Sequence, residues 1–368
     1  MNDGKRCGRP IHYGPHSDPT PACLMHSPDP EKSDAAFQEE FEVTLKVGGD
    51  GIADFTQFVF PSASYRGREF SAKCVFHDAT FMRAADFRSA TFTQDADFGG
   101  ATFTQNAHCG RARFMQGGNF HHAKFAQDAD FGEATFTQNA KFLNATFTRD
   151  AYFFRAKFMR EAHFDEAKFI QDADFRFATF TRYAYFFRAK FMQDADFSRA
   201  TSTQIVFVGA KFLGPAEFRG TRFRRDQKPF PGPVFSLAEF SRPEAVIFYK
   251  TYLGQALFHN CDVSQVNFSS VEWRQRKGTG KRMVFEEEVD LETRNDLSPA
   301  QDNGKRMHIE LFKEKLDPDD AKDLSPAKDS ANKRDYGLIA ELYQQLKKTT
   351  TNGKTIGRRA TFITAKWR

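Results

Sequence analysis

Cysteine and histidine cluster near the start of the sequence, in the segment CGRPIHYGPHSDPTPACLMHS that begins at Cys7. Two thiolates and two imidazoles form a ligand set that zinc prefers, and a zinc knuckle can replace a hydrophobic core in a segment too small to form one. The candidate ligands are Cys7, His16, Cys23 and His26, with His12 as a substitute ligand. The alternative is a polar leader whose cysteines and histidines bind no metal.

Aspartate recurs through the middle of the chain, often within the triplet Ala-Asp-Phe, as at Asp86, Asp130 and Asp174. Paired carboxylates can act as a general acid and a general base. Catalysis also needs a concave pocket that excludes water and shifts the pKa values of these groups. The repeat described next predicts a convex rod, so we predict a non-enzymatic protein with no catalytic residue, no cofactor other than the zinc considered above, and no small-molecule substrate.

A phenylalanine repeat governs most of the sequence. The chain contains 44 Phe but only 9 Tyr and 2 Trp, and from Phe76 to Phe197 the gaps between successive repeat positions alternate between five and six residues. Alanine precedes almost every one of these positions by two residues. An amphipathic helix needs apolar steps of three and four, so the pattern excludes a helix. In an extended chain, residues two apart point to the same side, so alanine and phenylalanine both face inward.

Each repeat unit is therefore a short strand followed by a polar corner. Four units close a coil of roughly 22 residues, and successive coils stack about 4.8 Å apart through backbone hydrogen bonds. Each inward phenylalanine then contributes about 1.5 to 3 kcal/mol of burial. Cys74, Cys109 and Cys261 occupy inward positions, where we predict reduced, buried thiols.

The units ADFGG, ADFGE and ADFSR, which begin at Ala96, Ala129 and Ala195, resemble the A-[D/N]-[L/F]-x-x pattern of the pentapeptide-repeat family. The resemblance is to the Phe-rich branch with alternating spacing, and it implies a right-handed quadrilateral β-helix. In many members, Cys-x4-Cys followed by Cys-x2-His precedes the repeats. Here Asn2 stands where the first of those cysteines would be, so a histidine would have to replace it.

The predicted fold class is an all-β solenoid with a short N-terminal segment and an α-helical and disordered C-terminal extension. A helix at 334–348, with apolar residues at helical spacing, is predicted to cap the last coil; the alternative is that it forms a homodimer. The predicted segments are a polar leader with the zinc knuckle (1–34), an N-terminal cap (35–52), the repeats (53–273), a charged linker (274–333), and an amphipathic helix with a basic tail (334–368).

Two local features interrupt these segments. Proline and glycine between Phe223 and Phe235 cannot continue a strand ladder, so they predict a loop that leaves the rod. Within the charged linker, residues 309–316 are predicted to form a short helix.

The predicted surface is striped by charge. One face and its preceding corner carry acidic side chains, interrupted by His108 and Tyr152. The adjoining face carries threonine and lysine. The acidic positions are Asp86, Asp128, Asp130, Asp150, Asp172, Asp174, Asp194, Asp196 and Glu217, and the adjoining ones are Thr80, Thr102, Lys124, Thr146, Lys168, Lys190 and Lys211.

Two functions remain open at this stage. The first is a scaffold that presents these regular faces to a protein partner. The alternative comes from the family resemblance, because the family includes acidic rods that mimic duplex DNA and modulate type II topoisomerases such as gyrase. The net charge of +5 favours the scaffold.

The two ends of the sequence complete these expectations. No run of about 18 apolar residues and no hydrophobic signal segment is present, so we expect a cytoplasmic protein. The segment 347–368 has seven Lys or Arg and no acid. Such a tail can bind nucleic acid or an anionic membrane, but a solvated tail is favoured.

Overall fold

The rod is built from short parallel strands on four faces. A computed structural model describes residues 22–223, 232–258, 260–275, 282–283 and 344–345. Each strand pairs with the strands one coil before and one coil after it, as Ala107 pairs with Ala85 and with Ala129. This step of 22 residues is the one that the alanine and phenylalanine spacing predicts, and the predicted four-sided β-solenoid is confirmed.

Faces 1 to 4 follow one another around each coil. Thr179–Tyr185 and Thr201–Val206 continue around the corner between faces 4 and 1 and belong to both. Face 1 contains Ile52–Asp54, Lys73–Val75, Ala96–Asp97, Gly118–Asn119, Ala140–Lys141, Ala162–His163, Thr179–Tyr185 and Thr201–Val206. Face 2 contains Val59–Phe60, Thr80–Phe81, Thr102–Phe103, Lys124–Phe125, Thr146–Phe147, Lys168–Phe169, Lys190–Phe191, Lys211–Phe212 and Glu239–Phe240.

Face 3 is the longest and has ten strands. They are Ala63–Ser64, Ala85–Asp86, Ala107–His108, Ala129–Asp130, Ala151–Tyr152, Ala173–Asp174, Ala195–Asp196, Ala216–Arg219, Val246–Tyr249 and Asn267–Ser269. Face 4 contains Glu69–Phe70, Thr91–Phe92, Arg113–Phe114, Thr135–Phe136, Lys157–Phe158, Thr179–Tyr185, Thr201–Val206 and Arg222–Phe223.

Ladders of phenylalanine fill the interior. Phe142 is fully buried, and its ring stacks on Phe120 and on Phe164, with centroids 4.9 Å away in both cases. Backbone bonds run alongside the ladder, since the Phe142 N–H donates to the His163 carbonyl at 2.6 Å. Cys109 takes one inward position and is buried as predicted. The core is therefore one continuous column in which every ring is held by its neighbours.

The helix Asp34–Gly48 closes the N-terminal end of the rod. The Ser33 hydroxyl accepts from the Ala36 N–H and caps its first turn. The helix buries Phe41, whose ring stacks on Phe55 at 4.6 Å and on Tyr65 at 4.8 Å. The helix therefore extends the aromatic ladder and covers edges of the first coil that would otherwise pair with another chain.

Residues 22–33 pack against the first coil. The Met25 carbonyl accepts from the Val59 N–H at 2.7 Å, and Met25 is fully buried. The Lys32 ammonium donates to the Leu24 and Ser27 carbonyls at 2.8 Å each. Burial lowers the pKa of Lys32 to about 8. This segment is thus part of the N-terminal cap together with the helix.

The C-terminal end of the rod departs from the regular step. Lys211 pairs with Glu239, a separation of 28 residues, because the chain between them contains the loop predicted between Phe223 and Phe235. Residues 224–231 of that loop lie outside the described residues, as do the short helix predicted at 309–316 and the basic tail. Of the linker, Arg274–Gln275 and Arg282–Met283 form a two-stranded antiparallel pair.

Among the described residues, a hydrogen bond links the predicted C-terminal helix to the rod. Residues 344–345 are helical, and the Gln345 side-chain oxygen accepts from the Val263 N–H at 3.0 Å. Val263 lies in the last coil, so this part of the segment 334–348 is placed where a cap would be.

Candidate functional site

Face 3 presents two parallel rows of outward side chains. They lie on either side of an inward phenylalanine or cysteine: the first row is on the strands, and the second row, apart from Arg219, is in the turn that follows each strand. The first row is Asp86, His108, Asp130, Tyr152, Asp174, Asp196 and Glu217. The second row is Arg88, Gly110, Gly132, Phe154, Arg176, Ser198 and Arg219. The acidic row is therefore at the predicted place, and a second row of different chemistry runs beside it.

Acids of the first row pair with arginines of the second in the same coil. The Arg88 guanidinium donates to both carboxylate oxygens of Asp86, at 2.9 and 2.6 Å. Arg176 bonds Asp174 in the same way, at 2.9 and 2.7 Å. The bond to Arg88 holds the pKa of the Asp86 carboxyl below its usual range. Face 3 thus alternates charge across its width.

A groove crosses the middle of face 3. It has a volume of about 630 Å³, and its floor is at Gly110 and Gly132, where the second row has no side chains. Its lining runs from Arg66 and Arg88 at one end to Phe154 and Arg176 at the other. The Tyr152 hydroxyl, beside the groove, donates to Asp150 at 3.0 Å. The wall of the solenoid is therefore less uniform than the repeat alone predicts.

An aromatic and cationic cluster lies at one end of the groove, at the corner between faces 3 and 4. We call it the Arg-Phe cluster; it comprises Phe154, Arg155, Arg176, Phe177 and Arg199. The two rings pack edge to face with centroids 5.6 Å apart. The Arg155 guanidinium lies over both rings, at 5.0 and 5.5 Å from their centroids. Stacking fixes the planes of the guanidinium groups and leaves their N–H edges to donate.

The sequence contains a signal for this cluster that its periodicity obscures. Phe153 is the inward ring of its unit and Phe154 directly follows it, whereas Phe177 in the next coil lies two residues after the inward Phe175. Phe177 is 36 % exposed and adopts a φ of 59°, a left-handed conformation that is costly for an aromatic residue. The corner imposes that conformation in every coil. Phe177 is thus an off-register phenylalanine with an exposed ring, whereas the off-register Phe187 is buried.

The corner that precedes face 3 carries the predicted carboxylate row Asp128, Asp150, Asp172 and Asp194. Two of its members bond to the next coil, because Asp150 accepts from the Asp172 N–H and Asp172 accepts from the Asp194 N–H, at 3.2 Å each. The next residue in this row is Pro215, which has no N–H to donate. Burial and the neighbouring Asp172 raise the pKa of Asp194.

A second groove, of about 490 Å³, lies on face 1 over Gly117 and Gly118. Some of its polar groups bond one another. Asp95 accepts from the Gly117 N–H at 2.9 Å, and the Asn119 amide donates to Asp97 at 2.7 Å.

Two of the predicted zinc ligands lie close together. The Cys23 sulfur and the His26 Nδ1 are 3.1 Å apart, and the His26 Nε2 is 3.3 Å from the Thr56 carbonyl. Ligands around tetrahedral zinc are separated by roughly 3.5 Å, so a small movement would let both coordinate. Cys7, His12 and His16 lie outside the described residues. Among the described residues, no group of three or more His, Cys, Asp or Glu side chains is arranged to hold a metal ion.

A four-sided stack of short parallel strands around phenylalanine ladders defines a β-solenoid with scaffold-like architecture. Residues 76–124, 115–157 and 153–201 each match the family model described as pentapeptide repeats (9 copies). The match identifies residues 76–201 as pentapeptide repeats. A comparison with curated proteins gave no match. No helix in the described ranges is both long enough and apolar enough to cross a membrane.

Proposed function

We propose that this protein is a non-enzymatic scaffold that binds a protein partner at the Arg-Phe cluster. The single observation that carries the proposal is the exposure of Phe177 beside Arg155 and Arg199. Within residues 76–201 the repeat phenylalanines are buried, so an exposed ring at this corner adds nothing to the core. Aromatic and arginine side chains are the groups that most often dominate the binding energy of protein interfaces.

The chemistry of the cluster favours an acidic partner surface. Arg176 already bonds Asp174, whereas Arg155 and Arg199 contact the rings. Lys157, on the neighbouring strand of face 4, adds a further cation. A partner carboxylate can accept two parallel hydrogen bonds from a stacked guanidinium, and an apolar side chain can cover the ring of Phe177.

The alternative function is a DNA mimic that modulates a type II topoisomerase. The carboxylate row from Asp128 to Asp194 is the feature that favours it. Mimicry needs a continuous negative face, and the pairs Asp86 with Arg88, Asp174 with Arg176 and Glu217 with Arg219 interrupt it. We therefore rank this function second, and inhibition of gyrase supercoiling by the purified protein tests it directly.

The scaffold proposal is tested by affinity capture followed by mass spectrometry. The test variant combines Phe177→Ser with Arg155→Ser. Its matched control combines Met192→Ser with Lys190→Ser, which removes one exposed apolar side chain, 38 % exposed, and one cation from face 2. Each captured protein is then purified, and its dissociation constant is measured against all three chains.

The proposal predicts a partner that the natural chain and the control variant bind alike and that the test variant binds at least about tenfold more weakly. Partners that bind all three chains equally would overturn it. Recovery of gyrase or topoisomerase IV by all three chains would favour the DNA mimic instead.

A further inference from the structure

We propose that face 3 pairs with face 3 of a second copy of this chain. The two rods lie side by side, parallel and in coil register, about a two-fold axis parallel to the rods. This inference goes beyond the proposed partner at the Arg-Phe cluster, because it assigns the two rows of face 3 to self-association. Phe154 and Arg176 belong to both the second row and the Arg-Phe cluster, whereas Arg155, Phe177 and Arg199 lie outside the two rows.

The symmetry follows from the order of the two rows. A two-fold axis along the rod, centred on the inward positions between the rows, reverses the strand direction across the contact. The first row of one copy then faces the second row of the other at the same coil. The other face-to-face arrangement, with the axis across the rod, sets the acidic row of one copy against the acidic row of the other. Repulsion therefore excludes it.

The charges of the two rows are complementary in the first arrangement. Five of the seven first-row residues are acidic, and three of the seven second-row residues are arginine. Asp86 faces the second copy's Arg88, Asp174 faces its Arg176, and Glu217 faces its Arg219. Asp130 and Asp196 face glycine and serine. The two-fold axis repeats each of these contacts, so each acid–arginine pair occurs twice. At no coil do two side chains of the same charge face each other.

The shapes of the rows are complementary as well. His108 projects toward the position where the second row has Gly110, and Asp130 projects toward Gly132, so each groove floor receives a side chain of the other copy. Tyr152 lies at the middle of the seven coils and is 37 % exposed. It faces Phe154, which places an aromatic pair at the centre with charged pairs on both sides. This is the arrangement of a typical interface, in which polar contacts surround aromatic anchors.

The contact is small, which sets its expected strength. Seven coils span roughly 30 Å along the rod, and a face is only one short strand wide. Such an area is at the low end for stable association, so the dimer should dissociate on dilution. Because its pairs are exposed to solvent at their edges, salt should also weaken it.

Charge reversal in opposite rows provides the decisive test. Asp174→Arg sets the introduced arginine of one copy against Arg176 of the other, and Arg176→Glu sets Asp174 against the introduced glutamate, so each variant alone should lose the dimer. In a mixture of the two variants, the Asp174→Arg chain still has Arg176, which faces the natural Asp174 of the Arg176→Glu chain. At the second, symmetry-related contact, the introduced arginine faces the introduced glutamate. Both are attractive. In each variant the Asp174–Arg176 pair within the chain is broken, and mixing does not restore it. Recovery of the dimer in the mixture can therefore come only from contacts between chains.

The measurement is sedimentation velocity of the full chain at low salt over a range of concentrations. We expect a concentration-dependent dimer for the natural chain, at least about tenfold weaker association for each single variant, and recovery in the equimolar mixture. Tyr152→Ser should weaken the dimer without changing any charge, and Lys168→Glu on face 2 should leave it intact.

Circular dichroism verifies that every variant keeps its strands. A natural chain that stays monomeric at all concentrations would overturn the dimer and leave the proposed partner of the Arg-Phe cluster unaffected. A dimer that persists in both single variants, or a mixture that fails to rescue association, would also overturn it.

Discussion

Phe153 and Phe154 are adjacent in the chain and lie on opposite sides of the solenoid wall. The Phe153 ring is fully buried and stacks between Phe131 and Phe175, with centroids 5.2 and 4.8 Å away. The Phe154 ring lies outside, packed edge to face on Phe177. One residue type at two consecutive positions therefore serves the core in the first case and the surface in the second.

This difference predicts two outcomes for the same substitution. Phe153→Ala should lower the free energy of unfolding by about 3 to 5 kcal/mol, because it opens a cavity in a stacked column. Phe154→Ala should cost clearly less, because the Phe154 ring is only half-buried and its loss leaves no cavity inside the column. Urea unfolding followed by circular dichroism measures both. Equal losses in the two variants would show that the outer ring is part of the core.

Much of this architecture could be predicted from the sequence, and the reason is geometric. Spacings of five and six residues with alanine at the second position before each ring fix both the strand period and the 22-residue coil. They therefore place Asp86 and Asp130 in one row. The same regularity hides exceptions. Phe177 falls outside the register, yet among so many phenylalanines the composition gives no reason to single it out.

Other features could not be predicted because they depend on contacts between distant segments. The groove forms only where Gly110 and Gly132 stack in consecutive coils beside Arg88 and Phe154. Met25 is buried against the first coil, and its carbonyl accepts from the Val59 N–H. Nothing in the polar composition of the first segment indicates that contact. In both cases the decisive partner lies in another segment of the chain.

The N-terminal helix yields the next prediction. Phe41 stacks on Phe55 and Tyr65, so Phe41→Asp places a charge on the open end of the aromatic column. We expect the helix to detach, the amide hydrogens of the first coil to exchange faster, and the protein to aggregate through its exposed strand edges. Hydrogen exchange and light scattering measure these changes. Val47→Asp, at a position 83 % exposed on the same helix, is the matched control and should behave as the natural chain.

Metal analysis tests the proposed zinc site. Cys23 and His26 are already in hydrogen-bond contact, so we expect about one zinc per chain in the full-length protein, and loss of that zinc in Cys23→Ser and in His26→Ala. His122→Ala removes an exposed histidine elsewhere and should keep the metal. If zinc is retained in both variants, the site lies among other residues. If the natural chain contains no zinc, Cys23 and His26 are joined only by their hydrogen bond.

The end of the carboxylate row predicts a pH dependence of stability. Asp194 has a raised pKa, so the folded chain holds this proton more tightly than the unfolded chain, and the ionised carboxylate destabilises the fold at neutral pH. Asp194→Asn should therefore increase the free energy of unfolding slightly at pH 7. The gain should disappear as the pH falls through the carboxyl pKa, where the natural side chain becomes neutral as well. Asp172→Asn should give no gain, because its carboxylate accepts the Asp194 N–H.

The origin of that shift can be tested at a neighbouring position. Asp150 and Asp172 each accept a backbone N–H from the next coil, whereas the residue that follows Asp194 in the row is Pro215. Pro215→Ala would supply the N–H that the proline lacks, and a hydrogen bond to the ionised carboxylate lowers its pKa. We therefore expect the NMR titration of Asp194 to move to lower pH in Pro215→Ala. An unchanged titration would assign the raised pKa to burial and to the charge of Asp172 alone.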